Sequence, residues 1–325
     1  MSASRLTSEP VSDEQTSQDT GSTTNVASDA ASPTNADDLR EAILARHRPS
    51  ASGVGSTIEV VDSTGSTNAD LAARAAEPGI VGTVRVTTDQ TAGRGRHARV
   101  WSAPPGGQVA VSVVLDAGER AERLGWLSLA TGVAAASAIE SATGVRPTLK
   151  WPNDVLVDGK KVAGILAEYI PASTGSVVVV GIGINTDMTA DDLPVPTATS
   201  LLVESGDPVD VAALVAEYLS ALADTPWPTD VDEVARRYRD RCDTLGRRIK
   251  LSLPDERSVE GVAEDVDGEG RIVVRTDDGQ RFTAAAGDVL HLRPTQNRAR
   301  RARSRLSAGY SSRPSQESAT GPAIR

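Results

Sequence analysis

A polar, glycine-punctuated stretch, Asp89-Gln90-Thr91-Ala92-Gly93-Arg94-Gly95-Arg96-His97-Ala98-Arg99-Val100-Trp101, limits the folds open to this chain. It is too polar for a core segment and too rich in glycine for a helix. Glycine lets a backbone approach a ligand closely, and arginine offers a planar fork of donors matched to phosphate or carboxylate. The stretch therefore reads either as a solvated basic turn or as a loop that closes over an anion. Gly93-x-Gly95-x-x-Ala98 also fits the dinucleotide-binding fingerprint, which requires a strand before it and a helix opening at its end. The chain continues instead as Trp101-Ser102-Ala103-Pro104-Pro105-Gly106-Gly107, which cannot open a helix, and then as a strand-like run from Gln108 to Leu115. That exit excludes the doubly wound dinucleotide fold.

Composition narrows the class further. A chain of 325 residues accommodates one large domain with a small companion, and 39% hydrophobic with 24% charged residues is ordinary for a soluble protein. A formal net charge of −10 argues against a general nucleic-acid binder, which needs a basic face. The single cysteine, Cys242, excludes a disulfide framework and a multi-thiolate metal site and suits a reducing cytoplasm. No apolar run is long enough to span a bilayer, and the N-terminus lacks the pattern of a signal peptide. The three histidines, His47, His97 and His291, are too far apart in sequence to suggest a histidine metal centre. Lysine occurs only at positions 150, 160, 161 and 250, so each one invites a question.

Residues 1–36 hold almost no large apolar side chains and are expected to be disordered. Asp37 to Arg46 has helical spacing, and Thr57 to Val61 reads as a strand. Ser63 to Asn68 is a cluster of cap-forming residues ahead of a short helix. Gly82 to Thr88 reads as a strand that leads into the Gly/Arg loop. Arg123 to Ser141 carries an apolar helical face and stops at Gly144. Thr148 to Val157 reads as strand, Pro-Asn-Asp turn and strand, and Asp158-Gly159 is a hairpin turn leading into Lys160 to Tyr169. Ser176 to Asn185 reads as a buried strand whose glycines, Gly181 and Gly183, imply a close approach to its backbone. Asp210 to Ala223 and Val231 to Arg241 read as helices bridging to a second module. Short alternating strands with Asp-Gly turns from Gly246 to Pro294 indicate a small β-barrel, and an Arg/Ser-rich tail comes after it. The interleaving of many strands with few helices predicts an α+β catalytic domain with a mixed or antiparallel sheet.

Gly93 to Trp101 and Lys150-Trp151-Pro152-Asn153-Asp154 together resemble biotin–protein ligases. Ser66-Thr67-Asn68 ahead of them, Gln90 beside the loop, Lys161 to Leu166 after them, and Gly181-Ile182-Gly183-Ile184-Asn185 at the end stand in the same order and spacing. The resemblance covers roughly residues 56 to 293, and each motif falls on a plausible strand or loop. It implies a fold related to class II aminoacyl-tRNA synthetases and lipoate ligases, followed by an SH3-like barrel. The implied layout is a catalytic domain over residues 37–242, a barrel over 243–294 and a disordered tail over 295–325. It also implies a two-step reaction, in which biotin and Mg·ATP give biotinyl-5′-AMP and pyrophosphate. The acyl group then passes to a lysine of a biotin carboxyl carrier domain of acetyl- or propionyl-CoA carboxylase.

Residue chemistry fits that reaction. A carboxylate attacking an α-phosphate needs a fixed cation between the two anions, and Lys150 is the candidate. Arg94 and Arg96, with Arg99 behind them, would neutralise phosphate charge and keep water from the mixed anhydride. The resemblance assigns biotin to Ser66, Thr67, Asn68, Gln90, Arg94, Gly95, Arg96, Lys150 and Gly164. It assigns the nucleotide to Arg96, Arg99, Trp101, Lys150, Asn153 and Asn185, although Trp101 reads equally as core. Asp154 suits Mg²⁺ as an oxygen ligand, and with Asn153 it also suits a plain turn.

The loop departs from relatives that carry a further basic residue and a glycine where this chain has His97 and Ala98, which implies a stiffer lid. Some relatives add an N-terminal winged helix and repress biotin genes. Residues 1–36 cannot form one, so a monofunctional ligase with no DNA partner is expected. The remaining alternatives are a lipoate or octanoyl ligase of the same fold and a catalytically silent biotinyl-adenylate sensor.

Overall fold

Alternation along the apolar strand Val177–Asn185 divides the protein into two faces. Val178, Val180, Ile182 and Ile184 point into the main core, whereas Val177 and Val179 enter a second, smaller cluster with Leu71. Gly181 and Gly183 share that second face. The computed structural model describes residues 35–48, 50–118, 121–171, 175–226 and 229–292. The disorder expected of residues 1–36 and 295–325 falls outside the described residues except at Asn35 and Ala36, which instead cap and open α1 because the Asn35 side chain accepts from the Asp38 N–H.

In chain order the first module comprises α1 (Ala36–Arg46), β1 (Thr57–Val60), α2 (Thr67–Ala73), β2 (Thr83–Thr87), β3 (Gly93–Arg94) and β4 (Val100–Trp101). It continues with β5 (Gln108–Asp116), α3 (Leu127–Thr143), β6 (Thr148–Lys150), β7 (Asp154–Val157), β8 (Lys160–Ile170) and β9 (Val177–Asn185). Three helices close it: α4 (Leu201–Ser205), α5 (Val211–Ala223) and α6 (Val231–Arg241). The C-terminal module holds β10 (Arg248–Ser252), β11 (Ser258–Val266), β12 (Ile272–Thr276), β13 (Arg281–Ala284) and β14 (Asp288–His291).

The larger sheet runs β1-β2-β5-β9-β8-β7-β6, parallel between β1 and β2 and antiparallel elsewhere, which makes it mixed as expected. Helix α3 packs on its core face against β6 to β9, with α5 and α6 against α3. Its side chains are buried almost all round, as its Ala- and Leu-rich sequence dictates for a helix between two layers. Gly144 ends it in the left-handed conformation, its N–H donating to Glu140 O at 3.0 Å. On the opposite face α2 rests on β2, β5 and β9. The β7–β8 hairpin turns through Asp158 (φ 48°) and Gly159 (φ 77°), as the Asp-Gly signal predicts.

The C-terminal module is a five-stranded antiparallel sheet in the order β13-β12-β11-β10-β14. Its Ile249, Leu251, Val266 and Val274 belong to the same core cluster as α3. Two buried tryptophans fasten it: Trp126 Nε1 donates to Gly268 O and Trp151 Nε1 to Gly270 O, both at 3.0 Å. Such bonds satisfy indole N–H groups that would otherwise be costly to bury.

Several expectations shift. The residues from Arg123 to Trp126 lie in a 3-10 turn, and α3 starts at Leu127. Gly125 is pressed against the second module there, since a Cβ on it would lie 2.1 Å from Glu269 O. Helix α5 packs mainly on α3 and α1 within the first module, while α6 packs on α3 and also contacts β11. Neither α4 nor β13 was expected from the sequence pattern.

Candidate functional site

The non-core face of the large sheet carries small residues, Ala110 and Ser112 on β5, Gly164 on β8, and Gly181 and Gly183 on β9, which form the floor of a cavity of about 190 Å³. Alternation explains the set, because Val109, Val111 and Val113 turn to the core and leave their neighbours on the other side.

One end of the cavity is a chain of neutral polar groups. Ser66 caps α2, its Oγ accepting from Ala69 N at 3.4 Å. The Thr67 N–H and Oγ1 both donate to Gln90 Oε1, at 3.0 and 3.2 Å. Ser112 Oγ contacts Thr67 Oγ1 at 2.7 Å and Asn68 Oδ1 at 2.6 Å. Asn68 Nδ2 donates to Leu166 O at 3.1 Å and to Glu168 Oε2 at 2.9 Å. Gly181 makes room for this amide, since a Cβ there would fall 2.0 Å from Asn68 Oδ1. The close approach expected at the two glycines is made by the protein's own side chains, Asn68 over Gly181 and Trp101 over Gly183.

The Gly/Arg segment forms a small hairpin over the cavity, with Gly93 paired to Trp101 and Arg94 to Val100. A Cβ on Gly93 would lie 2.5 Å from Trp101 O, so the pairing demands glycine. Gly95 has no such constraint, since nothing comes within 3.4 Å of its Cβ position. At the tip, His97 and Ala98 both sit in the left-handed region, with φ 55° and 57°. Arg94 pairs with Glu168 at 3.0 Å, Arg99 pairs with Asp288, and Arg96 Nη1 donates to Gly287 O at 3.4 Å. The lid thus leans on β8 and on the second module through half-exposed ion pairs, each contributing about 0–1 kcal/mol.

Five cations line the cavity: Arg94, Arg96, Arg99, Lys150 and Lys161. Lys161 pairs with Asp154 at 2.6 Å and lies 5.5 Å from the Trp101 ring centroid. Among the described residues, Lys150 and Arg96 form no ion pair. Burial lowers the pKa of Arg96, with Asp288 and Asp154 opposing. Leu149, buried at 1% exposure, anchors β6 on the core face, and alternation turns Lys150 to the cavity. A pocket lined by two cations that form no ion pair among the described residues and by a chain of amides and hydroxyls suits a ligand with an anionic group and a polar ring.

Asn153 and Asp154 line the same cavity, and Asn153 is tied to β8, its Nδ2 donating to Ile165 O at 2.9 Å. No cluster of three His, Cys, Asp or Glu side chains able to hold a metal occurs among the described residues. Asp154, already paired with Lys161, offers a single carboxylate, which fits Mg²⁺ that arrives largely ligated by substrate phosphates, not a metal caged by protein. Asn185 lies apart: it does not line the cavity, and its Nδ2 donates to Thr199 O at 2.8 Å. Ser112, Glu168, Lys161 and Asp288 were not singled out as site residues. Ser112 leaves a trace in the sequence as the one hydroxyl in an otherwise apolar strand, Val109 to Leu115.

Fold and site together define an acyl-activating ligase of the biotin and lipoate type. The biotin/lipoate A/B protein ligase family matches residues 58–185, and the biotin protein ligase C-terminal domain matches 244–292. The chain is 41% identical over 246 residues to a Mycobacterium tuberculosis biotin–[acetyl-CoA-carboxylase] ligase, covering 73% of this chain and 89% of that one. It is 34% identical to the Paracoccus denitrificans enzyme of the same name, covering 69% of this chain and 96% of the relative. Biotin protein ligase from Aquifex aeolicus, solved in complex with biotin and ATP, superposes with a TM-score of 0.63 at 26% identity, covering 73% of this chain and 99% of that one. The chain belongs to the biotin protein ligase family. Among its described residues no helix is long and apolar enough to cross a membrane.

Proposed function

We propose that the cavity binds biotin and ATP, joins them as biotinyl-5′-AMP, and delivers the biotinyl group to a lysine of a biotin carboxyl carrier domain, as in acetyl- or propionyl-CoA carboxylase. The observation that carries this reading is the pair of cavity cations, Lys150 and Arg96, that form no ion pair, facing the Thr67–Gln90–Ser112–Asn68 chain.

In the first step a biotin carboxylate oxygen attacks the α-phosphorus, the α–β P–O bond breaks, and pyrophosphate leaves. Lys150 lies between the two anions and lowers the repulsion that opposes their approach. Arg94, Arg96 and Arg99 exchange weak contacts with Glu168, Gly287 and Asp288 for phosphate oxygens, which closes the lid and excludes water. Asn68, Thr67, Gln90 and Ser112 hold the ureido ring, while Trp101, Asn153 and the backbone at Gly164 border the nucleotide. Asp154, paired at rest with Lys161, would hold Mg²⁺, and the ion would supply charge neutralisation on the phosphates. In the second step the carrier lysine's neutral amine attacks the acyl carbon, the C–O bond to AMP breaks, and the amine loses a proton.

Purified protein with ATP, Mg²⁺ and labelled biotin should label a carrier domain, and Lys150→Ala should lose roughly 100-fold or more in rate. Equal labelling by Lys150→Ala would defeat the role given to that lysine. Labelling with lipoate but not biotin would move the substrate to the sister enzymes.

A further inference from the structure

Lys150 ends an edge strand, and its backbone is braced from the C-terminal side of the molecule. The Asp243 N–H donates to Leu149 O at 2.8 Å, and the Trp151 N–H donates to Thr244 Oγ1 at 3.1 Å. These two bonds bracket Lys150. Thr244 Oγ1 in turn lies 3.2 Å from Nε2 of His291, on β14 of the second module. The other ring nitrogen, Nδ1, stands 3.7 Å from Asp243 Oδ2.

The hydrogen-bond directions in this chain follow from the groups that face the ring. The Asp243 carboxylate, an acceptor only, faces Nδ1 and favours the neutral tautomer with its proton there, which leaves Nε2 bare to accept from the Thr244 hydroxyl. Protonating Nε2 turns that acceptor into a donor and makes the Thr244 hydroxyl swing its hydrogen away, toward Cys242. We propose that His291 is a positioning residue for Lys150: its neutral ring locks Thr244, and through Thr244 it fixes the backbone that aims the lysine into the cavity.

The charged groups around the ring are Lys150 on β6, and Asp243 and Arg247 in the segment between α6 and β10. Asp243 is itself held by the Arg247 guanidinium. Burial is the largest influence on His291, and together with Lys150 and Arg247 it holds the imidazole below its ordinary pKa against the pull of Asp243. The nearby Cys242 is kept a neutral thiol by burial. Burial thus favours a neutral His291, and the Thr244 bond of the brace rearranges only on acidification. The same strand carries Asp288, which holds Arg99 of the lid, so β14 touches both the lid and the support of the lysine.

The inference rests on the role given to Lys150 above, and the test separates the two. Pyrophosphate release from ATP and biotin is followed with the full-length chain from about pH 5.5 to 8. His291→Ala should lower kcat roughly tenfold while leaving the KM for biotin nearly unchanged. His291→Gln, whose amide oxygen accepts from Thr244 and does not titrate, should restore most of the rate at neutral pH and flatten the acid decline. Wild-type kcat and pH profile in both variants, with Lys150→Met inactive, overturn the inference and leave the proposed function standing. An active Lys150→Met overturns that function instead. Should His291→Ala fail to fold, the imidazole resonances decide, since the chain holds only three histidines. In Lys150→Met the His291 titration should move upward, and an unmoved titration overturns the coupling.

Discussion

The indole of Trp101 lies over Gly183 so closely that a Cβ on the glycine would fall 2.6 Å from both Cε2 and Nε1. The same ring touches Gly164, and its Nε1 donates to Gln108 Oε1 on β5. Two glycines on adjacent strands and one glutamine therefore set the resting position of the lid's last residue.

Gly183→Ala should push the indole off the sheet and break its bond to Gln108. Crowding of this kind costs about 1–3 kcal/mol. Denaturant midpoints should fall, and trypsin should cut faster after Arg94, Arg96 and Arg99. Unchanged stability and cleavage would mean the indole has room that the geometry denies it.

Asn68→Ala should leave the Ser112 hydroxyl with Thr67 alone and Glu168 with Arg94 alone, both inside the cavity. Each lost hydrogen bond costs about 0.5–1.5 kcal/mol. The KM for biotin should therefore rise roughly tenfold or more while the KM for ATP stays near the wild-type value. Parallel increases in both constants would place Asn68 outside the biotin end.

Ala98 holds φ 57° at the lid tip, a conformation a β-branched residue resists by about 1–3 kcal/mol. Ala98→Val should speed trypsin cleavage of the unliganded lid and leave the global unfolding midpoint almost unchanged. Ala98→Gly removes about 1 kcal/mol of strain but adds open-state entropy of similar size, so its cleavage should stay close to wild type. A slower Ala98→Val lid would contradict this geometry.

His47 follows α1, is 6% exposed, and among the described residues has no hydrogen-bond partner for either ring nitrogen. Burial lowers its pKa, so the folded state holds it neutral. The unfolded chain binds the proton more readily than the folded one below the ordinary histidine pKa. Stability from this site is therefore complete above about pH 6.5 and declines as the pH falls toward the folded value. His47→Phe should remove that acid limb from thermal midpoints recorded across the range. An identical pH dependence in the variant would assign the limb to other groups.

The polar loop, the Lys150-Trp151-Pro152-Asn153-Asp154 turn and the two β9 glycines were legible because local rules impose them. Glycine at a close approach, alternation in strands and turn chemistry need only neighbours in sequence. The end of the 3-10 turn at Trp126 was not legible, because contact with Glu269 of the second module decides it. Glu168 gave no sign in sequence that it would hold both Arg94 and Asn68, since a carboxylate on an amphipathic strand usually faces water. Asn185, taken from its motif, points its amide at Thr199 because the strand has passed the cavity edge there.

By itself, then, the sequence determined the α+β class, the Gly/Arg loop and the strand that ends at Lys150. Those follow from the periods of helix and strand and from the few residues that tolerate tight turns. The tertiary structure alone decided which cations form no ion pair, which side chains fill the space above Gly181 and Gly183, and that β14 supports both lid and lysine. These features depend on pairings between residues such as Arg99 and Asp288, or Thr244 and His291, that lie far apart along the chain. Only the packed core fixes such distances, and no local pattern encodes them.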